Sequence, residues 1–305
     1  MSTINSWAPN AIAPEFSLAA YTFLFFLSSS FWLLLQPVLH CLMADQNKRY
    51  KKKQMNEKYE YRSNVVGVFH AIVSTGLAFY CIFFACGSGQ NFFNSSECAD
   101  NPRNITVYTA INSGAYFFVD FALLVIYTHC ETRLQKQYAV HHSVGMLLLL
   151  TPLFTLDFWL SVAVAGMAIE ISTPYPNIRY LLFQHGYKNT STLMSANSFM
   201  LGITFIFGRM PLLIIIAFYR GFPYMIKNYM NSSDYTLSYL IFIGVYCSIF
   251  LFILFLNCTW AFAIVKMMIK VFKSGGMSVA NETTAVEDKP NISDFSQSDM
   301  EKSGN

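Results

Sequence analysis

His141 and His142 stand side by side at the head of an apolar segment, and Glu170-Ile171-Ser172-Thr173-Pro174 follows inside the next one. An imidazole can take a proton from a reacting group or accept an acyl group itself, and a nearby carboxylate can orient the ring. His70, Asp120 and Arg209 fall in other apolar stretches. Ionisable groups within hydrocarbon are costly, so each counts as a functional candidate by default. Together these residues predict a polar chamber between helices that holds a lipid headgroup. If the chemistry is acyl transfer, His141, His142 and Glu170 are the catalytic candidates.

The elements that carry these residues follow from composition. Apolar residues make up 54% of the 305-residue chain and charged residues 12%, with 29 Phe and 18 Tyr. An average soluble domain carries roughly 45–50% apolar and about 25% charged residues. The excess gathers in blocks that approach or exceed the ~20 residues needed to cross a bilayer. The expected fold is therefore all-α: a polytopic membrane protein of about seven spans, near 16–44, 63–86, 106–129, 140–156, 158–178, 195–218 and 236–271. The fourth and fifth are expected to form a tight hairpin around Leu156-Asp157. The first stretch lacks a preceding basic residue and is too long for a signal-peptide core, so it reads as a retained helix.

Lysine and arginine set the expected orientation. With the N-terminus lumenal and the C-terminus cytosolic, the cytosolic stretches hold 16 basic residues and the lumenal ones three: Arg103, Arg220 and Lys227. Lys48-Arg49 and Lys51-Lys52-Lys53 read as anchors for anionic headgroups rather than as nucleic-acid contacts. The tripeptides beginning at Asn94, Asn104 and Asn231 fall on the lumenal side of this topology; those at Asn189, Asn281 and Asn291 fall on the cytosolic side. Cys86 and Cys98 could pair if their loop is lumenal, whereas Cys41, Cys81, Cys247 and Cys258 read as packing residues. The tail from Ser278 is polar and expected to be disordered.

In this topology His70, Asp120 and Glu170 each lie ~12–14 Å in from the cytosolic end of their helices. His141 and His142 join that layer if the fourth helix begins as early as Leu134. Arg209 lies nearer the other side, ahead of a kink at Pro211, and could snorkel or pair with Asp120 or Glu170. Pro174 and Pro176 favour extended residues before them and predict a helix break. No HxxxH or HExxH spacing supports a metal site, and no metal or other cofactor is expected.

Asp120, the His141-His142 pair and the string Glu170-Ile-Ser-Thr-Pro-Tyr-Pro-Asn177-Ile-Arg179 resemble the TLC-domain family. That family takes its name from a translocon-associated protein, the longevity-assurance ceramide synthases and a ceroid lipofuscinosis protein. The resemblance covers roughly residues 60–273, and the last string is most similar to the subgroup called TLC domain-containing protein 4. For the ceramide synthases, the family implies acyl transfer from acyl-CoA to a sphingoid amine, with acyl-CoA as co-substrate. This sequence departs from their His-Asp-x-x-Asp string, since Met167 aligns with the first carboxylate and Glu170 with the second. The non-synthase branch implies a role in membrane lipid composition or trafficking.

The expected organisation is a first helix and basic loop over 1–60, a TLC domain over 61–273 and a tail over 274–305. The expected function is lipid binding or regulation in membrane lipid homeostasis, in the endoplasmic reticulum. A ceramide-synthase-like N-acyltransferase and a trafficking adaptor are the alternatives. Membrane lipid is the expected partner, with a second copy of the chain left open and nucleic acid excluded.

Overall fold

The computed structural model describes residues 18–273 except 47, 88, 155–157, 189–190 and 231–236. The described residues form helices and turns without a β-strand: α1 (Leu18–Gln46), α2 (Lys48–Lys51), α3 (Met55–Phe83), α4 (Ser96–Asp100), α5 (Asn104–Thr128), α6 (Arg133–Leu150), α7 (Phe158–Gly166), α8 (Pro174–Gln184), α9 (Thr192–Ile203), α10 (Met210–Ile215), α11 (Phe222–Met230) and α12 (Leu237–Lys273). The expected hairpin turn at Leu156-Asp157, the tail from Ser278 and the tripeptides at Asn189, Asn231, Asn281 and Asn291 lie outside the described residues.

Among the described residues, five stretches are long and apolar enough to cross a bilayer: Leu18–Ala44, Met55–Phe83, Asn104–Thr128, Thr192–Lys227 and Gly244–Lys266. The chain is thus an all-α, multi-pass membrane protein. The other two expected spans are segmented. The first is α6 followed by a 3-10 turn at Thr151–Phe154; the second is α7 followed by a 3-10 helix at Met167–Ser172 and then α8. A 3-10 helix rises ~2.0 Å per residue against ~1.5 Å for an α-helix, so 158–172 still reaches about 25 Å. Change of helix type compensates for short length.

The expected break at the prolines takes this same form. Thr173 is helical (φ −64°, ψ −29°) rather than extended, and Pro174 opens α8. A proline in the first turn forfeits no intrahelical bond, because its N–H would lack a partner there anyway. Thr173 is held in this conformation by its side chain, which donates to Glu170 Oε2.

α5 is the hub, packed against α1, α3, α6 and α7. It approaches α6 closely because glycines face large side chains on both sides. A Cβ on Gly114 would lie 2.6 Å from Leu150 Cδ2, and one on Gly145 would lie 3.0 Å from Phe117 Cε2. Small residues at such crossings let membrane helices touch. At the periphery, only 6% of the α1 window and 11% of the α12 window are buried, so most of their apolar surface is left for lipid. Trp32 is the fixed point of α1: it is 1% exposed, and its indole N–H points to the Asn112 carbonyl and side chain. Between α3 and α5, Cys86 and Cys98 are joined as a disulfide, with 5.8 Å between their Cα atoms.

Candidate polar site within the helix bundle

α6 begins early enough to carry both histidines inward. Thr132 Oγ1 accepts from the Gln135 N–H at 3.2 Å, and Gln135 Oε1 accepts from the Thr132 N–H at 3.0 Å. This reciprocal box starts the helix at Arg133, so His141 and His142 come more than two turns later. Adjacent helix positions point in different directions. The two rings therefore meet different partners.

His142 turns toward α5, where its Nδ1 lies 3.0 Å from Asp120 Oδ2. The carboxylate is off the line of the ring N–H, since Nδ1 makes no directed hydrogen bond; the contact is a close charge approach. Asp120 is held from α3 by two residues one turn apart. Ser63 Oγ donates to Oδ1 at 2.7 Å, and Tyr59 O–H reaches the Asp120 backbone carbonyl at 3.2 Å and Oδ1 at 3.4 Å.

His141 turns toward the 3-10 helix, with Nε2 3.9 Å from Glu170 Oε1. Side chains three apart eclipse on a 3-10 helix, which sets Thr173 over Glu170 and lets its hydroxyl donate to Oε2 at 2.5 Å. Met167 occupies the equivalent position one turn earlier and is buried, so an apolar side chain stands where a second carboxylate would be. Trp260 of α12 closes the other side of His141, with ring centroids 5.4 Å apart.

Arg209 joins Glu170 rather than Asp120 and does not snorkel. It lies in a π-helical stretch, Thr204–Arg209, and is 3% exposed. Nη2 lies 3.8 Å from Glu170 Oε1, while Nη1 donates to the Ile169 carbonyl, Ser172 Oγ and Thr173 Oγ1, each at 3.3 Å. Nε donates to Asn257 Oδ1 of α12 at 2.5 Å. Single π turns inside α-helices often mark functional positions.

His70 connects to the layer through aromatic rings rather than through an acid. It stacks on Tyr116 with centroids 3.6 Å apart, and Tyr116 lies 6.0 Å from the His142 ring. The six residues expected to line a chamber therefore come together in one layer, as two histidine–carboxylate contacts, an arginine and a stacked histidine. The histidine side chains are the more open members, at 11% and 12% exposure against 5% and 8% for their carboxylates. A cavity of about 10 Å³, room for roughly one water, lies among Cys81, Cys86, Cys98, Arg103 and Thr106 and shares no lining residue with this layer. Among the described residues, no three His, Cys, Asp or Glu side chains gather as a metal-ligand set.

Sequence reasoning missed Tyr59, Ser63, Asn257 and Trp260. Asn257 carried a usable signal, as a buried amide within the apolar Gly244–Lys266 stretch. Tyr59 and Ser63 carried none, because hydroxyls near a helix end are common.

Helices long enough to cross a bilayer, packed around paired ionisable groups, define an integral membrane protein with an intramembrane polar site. The chain belongs to the TLC-domain family, which matches residues 60–266. It is similar to TLC domain-containing protein 4-B of Xenopus laevis, at 25% identity over 211 residues that cover 67% of this chain and 70% of that protein. The family match includes every residue of the polar layer. It excludes α1, which supplies Trp32.

Proposed function

We propose that this protein binds a membrane lipid at the histidine–carboxylate layer and acts through it in membrane lipid homeostasis. The observation that carries this reading is the pairing itself: His141 and His142 face two separate buried carboxylates, Glu170 and Asp120. The histidines are the open edge of the layer, so a headgroup or acyl carbonyl would meet the imidazoles first. Apolar surfaces of α1 and α12 would lie along the acyl chain.

The orientation we propose is N-terminus lumenal and C-terminus cytosolic. Two observations support it: the excess of basic residues on the opposite side, and the Cys86–Cys98 disulfide, which suits an oxidising lumen. We place the protein in the endoplasmic reticulum or a membrane connected to it.

A second reading, acyl transfer, is favoured by the Asp120–His142 contact. With Asp120 beside Nδ1, the His142 Nε2 is the nitrogen left to act as base. In that reaction the amine nitrogen of a sphingoid base bonds to the acyl carbon and the carbon–sulfur bond of acyl-CoA breaks. The amine proton passes through His142 to the departing thiolate.

Native mass spectrometry of the purified full-length protein, with lipidomics of what co-purifies, tests both readings. The lipid-binding reading expects one lipid class that is retained by wild type and depleted in His142→Ala and Glu170→Gln. An unchanged lipid complement in both variants would overturn it. Incubation with labelled acyl-CoA and a sphingoid base yields an amide only under the acyl-transfer reading.

A further inference from the structure

Arg62 is buried on α3, at 7% exposure, yet no ion pair among the described side chains includes it. A buried charge is ordinarily paired with an opposite charge. Its described hydrogen-bond partners are an amide, an imidazole and a phenol, with no carboxylate among them. Nε donates to Gln36 Oε1 at 3.4 Å, and Nη1 reaches His40 Nδ1 at 3.0 Å and Tyr50 O–H at 3.2 Å. Nη2 makes no described hydrogen bond.

The neighbours add donors rather than acceptors. His40 Nδ1 accepts from Arg62 and lies 2.8 Å from the Tyr50 hydroxyl. That assignment leaves the proton on His40 Nε2, a second donor on a half-buried ring. Lys51 and Lys52 are exposed just beyond, and Lys53 is tied to Gln184 of α8. Among the described side chains, the acids on α3 are engaged elsewhere: Glu57 accepts from the Gln54 N–H, and Glu60 accepts from Gln135 and Tyr180.

The position suits an interfacial ligand. The 29 residues of α3 reach about 43 Å, longer than the ~30 Å hydrocarbon core, so the first turns lie at headgroup level. Arg62 lies ~10 Å along α3, near that boundary. Tyr59 and Ser63 of α3 contact Asp120, whereas the described hydrogen bonds of Arg62 run to Gln36, His40 and Tyr50, so the two places use different side chains.

We propose that Arg62 and His40 form an anion site for a phosphate group at the membrane surface, separate from the histidine–carboxylate layer. A guanidinium fork whose Nη2 makes no described hydrogen bond matches phosphate oxygens, and no opposing charge pairs with it among the described side chains.

The test is thermal unfolding of the full-length protein in detergent, titrated with dioctanoyl phosphatidate, dioctanoylglycerol or inorganic phosphate. Phosphatidate should raise the melting temperature of wild type and dioctanoylglycerol should not. Protection by inorganic phosphate at similar concentrations would identify free phosphate, rather than a lipid headgroup, as the ligand. Arg62→Gln should weaken phosphatidate at least about tenfold, the loss of roughly one charge-assisted bond. Arg62→Lys and His40→Ala should weaken it less, and they decide the matter if Arg62→Gln does not fold. Glu170→Gln should keep the titration, so failure of the histidine-layer reading would leave this one standing. Equal response to phosphatidate and dioctanoylglycerol would overturn the proposal, as would wild-type affinity in all folded Arg62 and His40 variants.

Discussion

Arg209 lies 3.8 Å from Glu170 and is fixed there by Asn257, Ser172, Thr173 and the Ile169 carbonyl. Glu170 is therefore already opposed by a permanent cation when His141 approaches it at 3.9 Å. Asp120 is not. Its described partners other than His142 are the hydroxyls of Ser63 and Tyr59. The two adjacent histidines thus sit in unlike fields: His142 beside a carboxylate with its charge uncancelled, His141 beside one largely neutralised.

Removing the cation should expose this dependence. Arg209→Met leaves Glu170 buried without its permanent cation, and should destabilise the protein by about 3–5 kcal/mol. Adding Glu170→Gln should recover part of that loss, because the stranded charge is gone. Unfolding of the single and double variants in mixed micelles measures the coupling; additive losses would contradict the pairing.

Packing behind the histidines makes a second prediction. A methyl group at Gly145 would press on Phe117, whose ring lies 5.2 Å from that of His142. Gly145→Ala should cost about 1–3 kcal/mol through overpacking and should also reduce lipid retention. Gly76, where an added Cβ meets nothing within 4 Å, is the control. Gly76→Ala should be neutral or stabilising by up to about 1 kcal/mol, and melting temperatures of both variants check the contrast.

The disulfide bears on stability and orientation together. Cys98→Ser opens a short loop and should destabilise the protein by about 2–3 kcal/mol. On non-reducing gels after thiol alkylation of intact membranes, Cys86 and Cys98 should react only after reduction. Labelling without reductant would remove this support for a lumenal loop.

The same loop separates two glycosylation tripeptides by burial. Asn94 is exposed, whereas Asn104 opens α5 fully buried. In cells, and in an Asn231→Gln background that removes the other lumenal tripeptide, Asn94→Gln should abolish a glycosidase-sensitive mobility shift, and Asn104→Gln should leave it unchanged. No shift in wild type would count against the proposed orientation.

Long apolar stretches were legible because length and hydropathy alone decide whether a helix can cross a bilayer, as for α1, α3 and α5. The α6 start was less so, yet Thr132 and Gln135 held the capping signal that carries His141 and His142 inward. Helix type was not legible. The 3-10 turn that stacks Thr173 on Glu170 and the π turn that buries Arg209 arise from packing between segments, which leaves no local periodicity. For the same reason Arg209 could be named as a chamber residue by its type, while counting along the helix set it nearer the other side, and its place beside Glu170 needed three dimensions.

The π turn at Thr204–Arg209 has one more consequence. Within it, Phe207 is 76% exposed, so the identity of that side chain matters little to the site. Their number matters more. Each residue advances an α-helix by about 100°, so deleting one between Phe205 and Gly208 would let the stretch regularise into an α-helix and swing the upstream face away from the register Arg209 shares with Glu170 and Asn257. The site is specified here by a tally of residues, a form of information that substitution scanning would pass over and single-codon deletion would reveal.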